Sequence, residues 1–195
     1  VNVMSSFRLM TASRKVDSLH DASGLKLWAN GAAIGKTISS FGAIPIRMTG
    51  PELYDSVTRG TLDGALFPYS SVLQYDLADK LKYVLEGTQF GAGGWMMAIS
   101  EKSWNGLPSD VQEAMVSASP AAQQSLCSWS DEDSEKTRNK LVAGHGTVVT
   151  ELPADQVALL KEKYDALAKA WADDMDAFSG KGSILVEAFR QAGAE

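Results

Sequence analysis

Phe41 to Pro68 read FGAIPIRMTGPELYDSVTRGTLDGALFP. AIPIRM at 43–48 has the branched apolar content of a strand. Pro51 suits the first turn of a helix, where its missing N–H costs nothing. The helix runs to about Arg59, and Gly60 suits its C-terminal end. TLDGAL at 61–66 is the next short strand. Strand, helix and strand in under thirty residues make one unit of an α/β sheet. The stretch holds no catalytic-looking cluster.

Working outward, VNVMSSF at 1–7 reads as a strand entering the fold. Arg14 to Ser23 is a polar connection, GLKLWA at 24–29 a short strand, and Ala32 to Phe41 a helix. A helix follows around Tyr69 to Tyr75. KYVLEG at 82–87 and GWMMAIS at 93–99 read as strands joined by a Gly-rich bend. Alternating strands and helices predict a mostly parallel sheet. After Ser100 the pattern is nearly all helix. Ser109 and Gln112 make a capping-box signature after Pro108, and Val111, Met115 and Ala118 share one face. Pro120 is expected to kink or interrupt this helix, which continues from Ala121 to about Leu141 with a heavily charged 131–140. Gly144 and Gly146 break the chain before a short strand, TVVTEL at 147–152. Pro153 opens the clearest helix. Its Val157, Leu160, Tyr164, Leu167, Trp171, Met175 and Phe178 form one apolar stripe, expected to be a core face.

At 195 residues and 45% apolar, the chain is long enough for one good core or two small ones. A net charge of −6 argues against a nucleic-acid partner. Residues 1–50 nevertheless carry six Lys/Arg against two Asp/Glu, while 51–195 carry twelve against twenty-two. A basic first segment suits an anionic ligand, and suits chance surface composition as well. Cys127 is the only cysteine, so no internal disulfide forms; on a helix without a neighbouring base, it reads as a buried thiol. No apolar run approaches the roughly 20 residues of a membrane span. The sequence opens with Val1 rather than Met and shows no signal peptide, and the start reads as processed or truncated.

The enzyme motifs are weak. Gly31 to Thr37 approximates a phosphate-binding loop. Its glycine spacing is one residue short, and Asn30 occupies the required first glycine position. An α/β enzyme handling phosphate or nucleotide through Gly35-Lys36-Thr37 is therefore an alternative reading. A non-binding interaction module presenting the charged 131–140 helix is another. His20 and His145 are isolated. Asp131, Asp133, Asp173, Asp174 and Asp176 sit beside Lys and Glu on predicted helices and read as a solvated face. No cofactor and no metal site is expected.

Several segments, in order, resemble one family. The opening stretch supplies a Gly-Ala-x-Pro strand, a helix with Glu52, Ser56 and Val57, and a Gly-x-x-Asp-Gly turn. SSFRLMTASRKV at 5–16, DASGLKLW at 21–28, DLADKLKYVLEG at 76–87 and SEKSWNGLPSDVQEAM at 100–115 extend the likeness. Together they resemble the extracytoplasmic solute-binding proteins of TRAP transporters, the DctP family. The resemblance implies a type II periplasmic-binding-protein-like α/β fold with two lobes and a hinge. It implies that roughly the N-terminal third, and with it much of the first lobe, is not in this chain. Residues 1–90 would form most of the second lobe. Residues 91–130 would return to the first lobe and begin a long helix. Residues 131–195 would be C-terminal helices and one short strand bracing both lobes. The implied function is non-enzymatic: a monomeric periplasmic receptor that closes on a small organic solute and presents it to membrane permease subunits, without itself entering the membrane.

The departures from the family pattern bear on the ligand. The usual carboxylate-clamping Arg after Gly-Leu-Lys-hydrophobic is Trp28 here. The frequent Asn after Asp-Gly-x-x is Phe67, and an aromatic expected before the helix Glu is Gly50. Arg8 matches a second ligand-facing Arg. An Arg fork matches a carboxylate with two parallel bonds, whereas Trp offers one N–H and a flat apolar face. The implied ligand-binding set is Arg8, Trp28, Thr49, Phe67, Tyr69 and Gln89. Such a set favours a cyclic or partly apolar acid over a small hydrophilic dicarboxylate. Arg47 is the substitute cation should simple dicarboxylates bind instead.

Overall fold

Strands and helices alternate up to residue 95, and the chain is then helical apart from one strand. The computed structural model describes residues 2–3 and 6–192. In chain order the strands are β1 (Asn2–Val3), β2 (Arg8–Thr11), β3 (Lys26–Trp28), β4 (Ile44–Ile46), β5 (Gly64–Phe67), β6 (Tyr83–Glu86), β7 (Gly94–Trp95) and β8 (Val148–Glu151). The helices are α1 (Ala32–Ser40), α2 (Gly50–Thr58), α3 (Tyr69–Gln74), α4 (Glu101–Asn105), α5 (Ser109–His145), α6 (Ala154–Ser179) and α7 (Gly182–Ala192).

Six strands form one sheet in the order β4-β3-β5-β2-β6-β8. β3 runs parallel to β4 and β5, and β6 parallel to β8. β2 is inserted antiparallel between β5 and β6. The sheet is thus mixed, parallel on both flanks. β1 and β7 pair separately as a small antiparallel ribbon.

The turn at Asp63-Gly64 shows why the opening stretch folds as it does. The Asp63 carboxylate accepts the Lys26 N–H at 2.7 Å, which fixes β3 beside β5. Gly64 passes so close to β2 that a Cβ there would sit 2.0 Å from the Met10 carbonyl oxygen. Side-chain alternation then separates two cores. Leu9, Leu27, Leu66 and Leu85 point to the face covered by Ile34 and Ile38 of α1 and Leu160 of α6. Met10, Trp28, Ala65, Phe67 and Val84 point to the face covered by Leu53 and Val57 of α2, Val72 of α3 and Leu141 of α5. Burying one such Leu, Val or Phe contributes about 1.5–3 kcal/mol. Residues 6–90 therefore need no alternation in hydropathy, because both sheet faces are covered.

Five expectations are corrected. Of the strand expected at 1–7, Asn2–Val3 form β1, Ser6 and Phe7 are not strand, and Val1, Met4 and Ser5 lie outside the described residues; the central strand begins at Arg8. The strand expected over 93–99 is described only at Gly94–Trp95, paired with β1. Met96 and Met97 beyond it are exposed. Pro120 does not end its helix, and α5 runs through it for 37 residues. One lost backbone bond is tolerated where Ala118, Ala121, Ala122 and Gln123, all good helix formers, lie around it. The α6 stripe buries only its first half. Leu160 is in the core, whereas Trp171 is exposed and Phe178 is 86% exposed. Cys127 is half-buried rather than enclosed.

Candidate functional site

β3, β5 and β6 all end on the same edge of the sheet, at Trp28, Phe67 and Glu86. β2 begins on that edge, with Arg8 paired to Phe67. Ligands of open α/β sheets bind at the carboxyl ends of the parallel strands, so this edge is the candidate site. Arg8, Trp28, Phe67 and Glu86 also share one face, by the alternation that places Met10 and Val84 there.

The apolar part of the site is a block of three rings. Trp28 meets Phe67 edge-on at 6.2 Å between centroids and Tyr75 edge-on at 5.6 Å. The Trp28 indole N–H donates to the Met48 carbonyl at 3.1 Å. Gly50 makes this packing possible, because a Cβ there would lie 2.8 Å from the Tyr75 ring. The aromatic absent at position 50 is thus compensated in space by Tyr75. Trp28 is only 4% exposed and Phe67 1%. Arg8, paired with Phe67 across the strands, is half-buried.

The polar part centres on Glu86. Its carboxylate accepts the Tyr69 hydroxyl at 2.5 Å and the Arg138 Nε–H at 3.0 and 3.1 Å to its two oxygens. Arg8 Nε lies 3.9 Å from the same carboxylate, too far for a hydrogen bond. That buried Nε has no hydrogen-bond partner among the described residues. The only hydrogen bond Arg8 makes through its side chain there is a long one, 3.4 Å from Nη1 to the Phe7 carbonyl. Burial, reinforced by the bond to Glu86, pushes the Tyr69 phenol well above its ordinary pKa. The same carboxylate holds the Arg138 guanidinium more firmly charged. Tyr69 is therefore a neutral donor at any physiological pH, and the Glu86 carboxyl lies between two guanidinium groups.

Of the residues expected at the site, Arg8, Trp28, Phe67 and Tyr69 come together. Thr49 is exposed at the head of α2, where its N–H and hydroxyl both donate to Glu52. Gln89 is exposed on the loop after β6, and its carbonyl accepts the Tyr164 hydroxyl of α6, a helix packed on the opposite face. Arg47 lines a hollow of about 650 Å³ with Gly35, Lys36 and Leu167, beside α1 and α6 and away from Trp28. Glu86 and Arg138 were not expected. They are 52 residues apart, and only the position of Glu86 at the end of a strand pointed toward the edge.

The phosphate-loop alternative fails on geometry. Gly35 and Lys36 lie inside α1 rather than in a loop, and Lys36 pairs with Asp174 at 3.8 Å. Among the described residues no group of three or more His, Cys, Asp or Glu could hold a metal ion, and no helix is long and apolar enough to cross a membrane.

The architecture matches solved TRAP solute-binding proteins. One from Rhodoferax ferrireducens, in complex with copurified benzoate, superposes with a TM-score of 0.85 at 23% identity, over 95% of this chain and 59% of that one. One from Bordetella bronchiseptica, with bound (R)- and (S)-mandelate, gives 0.78 at 20% identity, over 97% and 60%. Residues 2–174 match the family described as bacterial extracellular solute-binding protein, family 7, or DctP, and the chain belongs to that family. The C4-dicarboxylate-binding periplasmic protein DctP of Rhodobacter capsulatus is 23% identical over 159 residues, which is 81% of this chain and 47% of the relative. The chain spans about half the length of the curated relatives it matches.

Proposed function

We propose that this chain is the larger part of a periplasmic receptor for a TRAP-type transporter, one that captures a small organic acid with a ring or partly apolar body. The observation that carries this reading is the pairing of an under-bonded Arg8 with the ring block of Trp28, Phe67 and Tyr75 on the ligand-binding edge of the sheet. Arg8 takes the carboxylate, Tyr69 stands beside it, and the rings form the apolar floor. Thr49 and Gln89 border the same edge and reach polar groups of the ligand once the lobes close. Two structural neighbours hold aromatic acids, which supports the chemical class. The receptor works as a monomer and hands its solute to membrane permease subunits.

In this reading residues 1–90 are most of the second lobe, and 91–130 return to the first. The rest of the first lobe comes from chain outside these residues, in keeping with the 59% share of the solved relative that is covered. A hollow of about 540 Å³ lined by Met97, Ile99, Trp104, Met115, Val116 and Pro120 is the surface it covers. Residues 131–195 brace both lobes. Closure excludes water and orders both lobes around the ligand.

The test is a melting-temperature screen of the full-length protein against benzoate, mandelate and succinate. A ligand at a hundredfold its Kd adds about 2.7 kcal/mol of stability, a rise of several degrees. The expected result is stabilisation by benzoate or mandelate exceeding that by succinate. Response to succinate alone, or to no acid, overturns the reading.

A further inference from the structure

Glu86 touches Arg8, Arg138 and Tyr69 at once, and nothing in the proposed receptor function explains why an anion should sit where an anionic ligand is to bind. Its carboxylate is only 14% exposed, so its charge is weakly screened. It takes the Arg138 Nε–H on both oxygens and leaves the Arg8 Nε at 3.9 Å without a hydrogen bond. Two guanidinium cations and one carboxylate leave a single net positive charge on the edge of the sheet. Glu151, the register partner of Glu86 on β8, is exposed and makes no ion pair among the described residues. Its charge is therefore spent on solvent.

We propose that Glu86 is the specificity-determining residue of the site, selecting ligands with one carboxylate over those with two. This rests on the organic-acid reading above. Charge matching makes the selection. A monocarboxylate neutralises the free Arg8 and places its body on the rings. A dicarboxylate must put its second anion either near the Glu86 carboxylate or against the ring block of Trp28 and Phe67. Both placements are unfavourable, the first by like-charge repulsion and the second by desolvation. Arg138 is a weaker partner for the second carboxylate, because Glu86 already takes its Nε–H and offsets its charge. Tyr69 cannot release Glu86 by ionising, since it stays a neutral donor.

The experiment is calorimetric titration of the full-length protein with two probes, benzoate and succinate. Three variants are compared with the wild type: Glu86→Gln, Arg138→Gln and the double variant. Glutamine keeps the shape and the acceptor for Tyr69 while removing the charge. The wild type should prefer benzoate by about tenfold or more, a difference of about 1.4 kcal/mol. Glu86→Gln should erase or reverse that preference by strengthening succinate. Arg138→Gln should weaken both acids. The double variant restores a single cation, so the wild-type preference should return. A lesion that merely loosened the fold would not be repaired by a second charge removal. An unchanged benzoate-to-succinate ratio in a folded Glu86→Gln protein overturns this inference and leaves the receptor reading standing. Should Glu86→Gln not fold, an Arg138→Gln protein with undiminished affinity for both acids overturns it too. Absence of binding to either acid in the wild type overturns both.

Discussion

Leu27 and Met97 mark two regimes within one chain. Leu27 is fully buried in the sheet, between α1 and α6, whereas Met97 is 97% exposed. The contrast holds region by region. Residues 6–90, with the C-terminal end of α5 and the start of α6, place nearly all their large apolar side chains in two cores. Residues 96–129 leave Met96, Met97, Ile99, Val116 and Trp129 in solvent, and the α6–α7 end leaves Phe178, Ile184 and Phe189 there. The lesson is that apolar content and apolar burial are separate properties. The sheet region finds its own partners, while the helical region carries surface that this length of chain does not cover. Such surface marks an interaction site or an aggregation liability.

The largest expected effect lies in the sheet. Gly64→Ala would put a Cβ 2.0 Å from the Met10 carbonyl oxygen and 2.9 Å from the Thr11 Cα, both of them backbone atoms that cannot step aside. β2 and β5 would have to part, at a cost on the order of 4 kcal/mol or more. Gly60→Ala is the control. It has open space around it and only a positive φ of 69° to strain, for about 1 kcal/mol. Urea unfolding of both variants checks this. Equal losses for the two would show that the close approach of β2 and β5 is not what holds the sheet, and the contrast between the regions would lose its basis.

The same residues show how much of this was legible beforehand. Pro51, Gly60 and Pro153 mark their helix boundaries correctly to within a residue or two, because their backbone constraints are local. Arg8 to Thr11 could not be recognised as the centre of the sheet. Four residues covered on both faces have no alternation to read. Met96 to Ile99 has strand composition yet is not a strand, and Met96, Met97 and Ile99 are exposed. Trp28 and Phe67 were placed at one site by resemblance, and their T-shaped contact supports that grouping. Glu86 with Arg138 was invisible, as a single sequence says nothing about which charges meet across 52 residues.

A smaller effect sharpens the comparison from the other side. Met97→Ser in these 195 residues removes a side chain that touches almost nothing, so stability should change by about 0.5 kcal/mol or less. In a longer chain that covers the hollow by Met97 and Trp104, the same change should cost about 1–3 kcal/mol. The measurement is the denaturation midpoint of the variant in both lengths. Equal and negligible losses would mean that the first lobe does not close over this face, and the assignment of 91–130 to that lobe would fall.

The smallest effect concerns acid, and it separates the two regions by how their helix ends are tied. Glu52 accepts the Thr49 hydroxyl and the Thr49 N–H at the head of α2, and these bonds, the hydroxyl first, hold its pKa below the ordinary glutamate value. Asp176 near the end of α6 is likewise held low by the Ser183 hydroxyl and N–H at the start of α7. A carboxylate whose pKa is depressed on folding stabilises the fold above its unfolded pKa, about 4. That contribution is lost as pH falls through the lower folded value. Glu52→Gln should therefore lower the unfolding midpoint at pH 6, with the deficit shrinking toward zero as pH drops below 4. α2 packs on the sheet through Leu53 and Val57, so losing its cap is felt in global unfolding. α7 exposes Ile184 and Phe189 and lies outside both cores. Asp176→Asn should leave the global midpoint where it is and speed only the hydrogen exchange of α7, as expected of a segment that opens by itself. A global, pH-dependent loss from Asp176→Asn equal to that from Glu52→Gln would show that α7 unfolds with the sheet, and that the two regions are one cooperative unit despite their unequal burial.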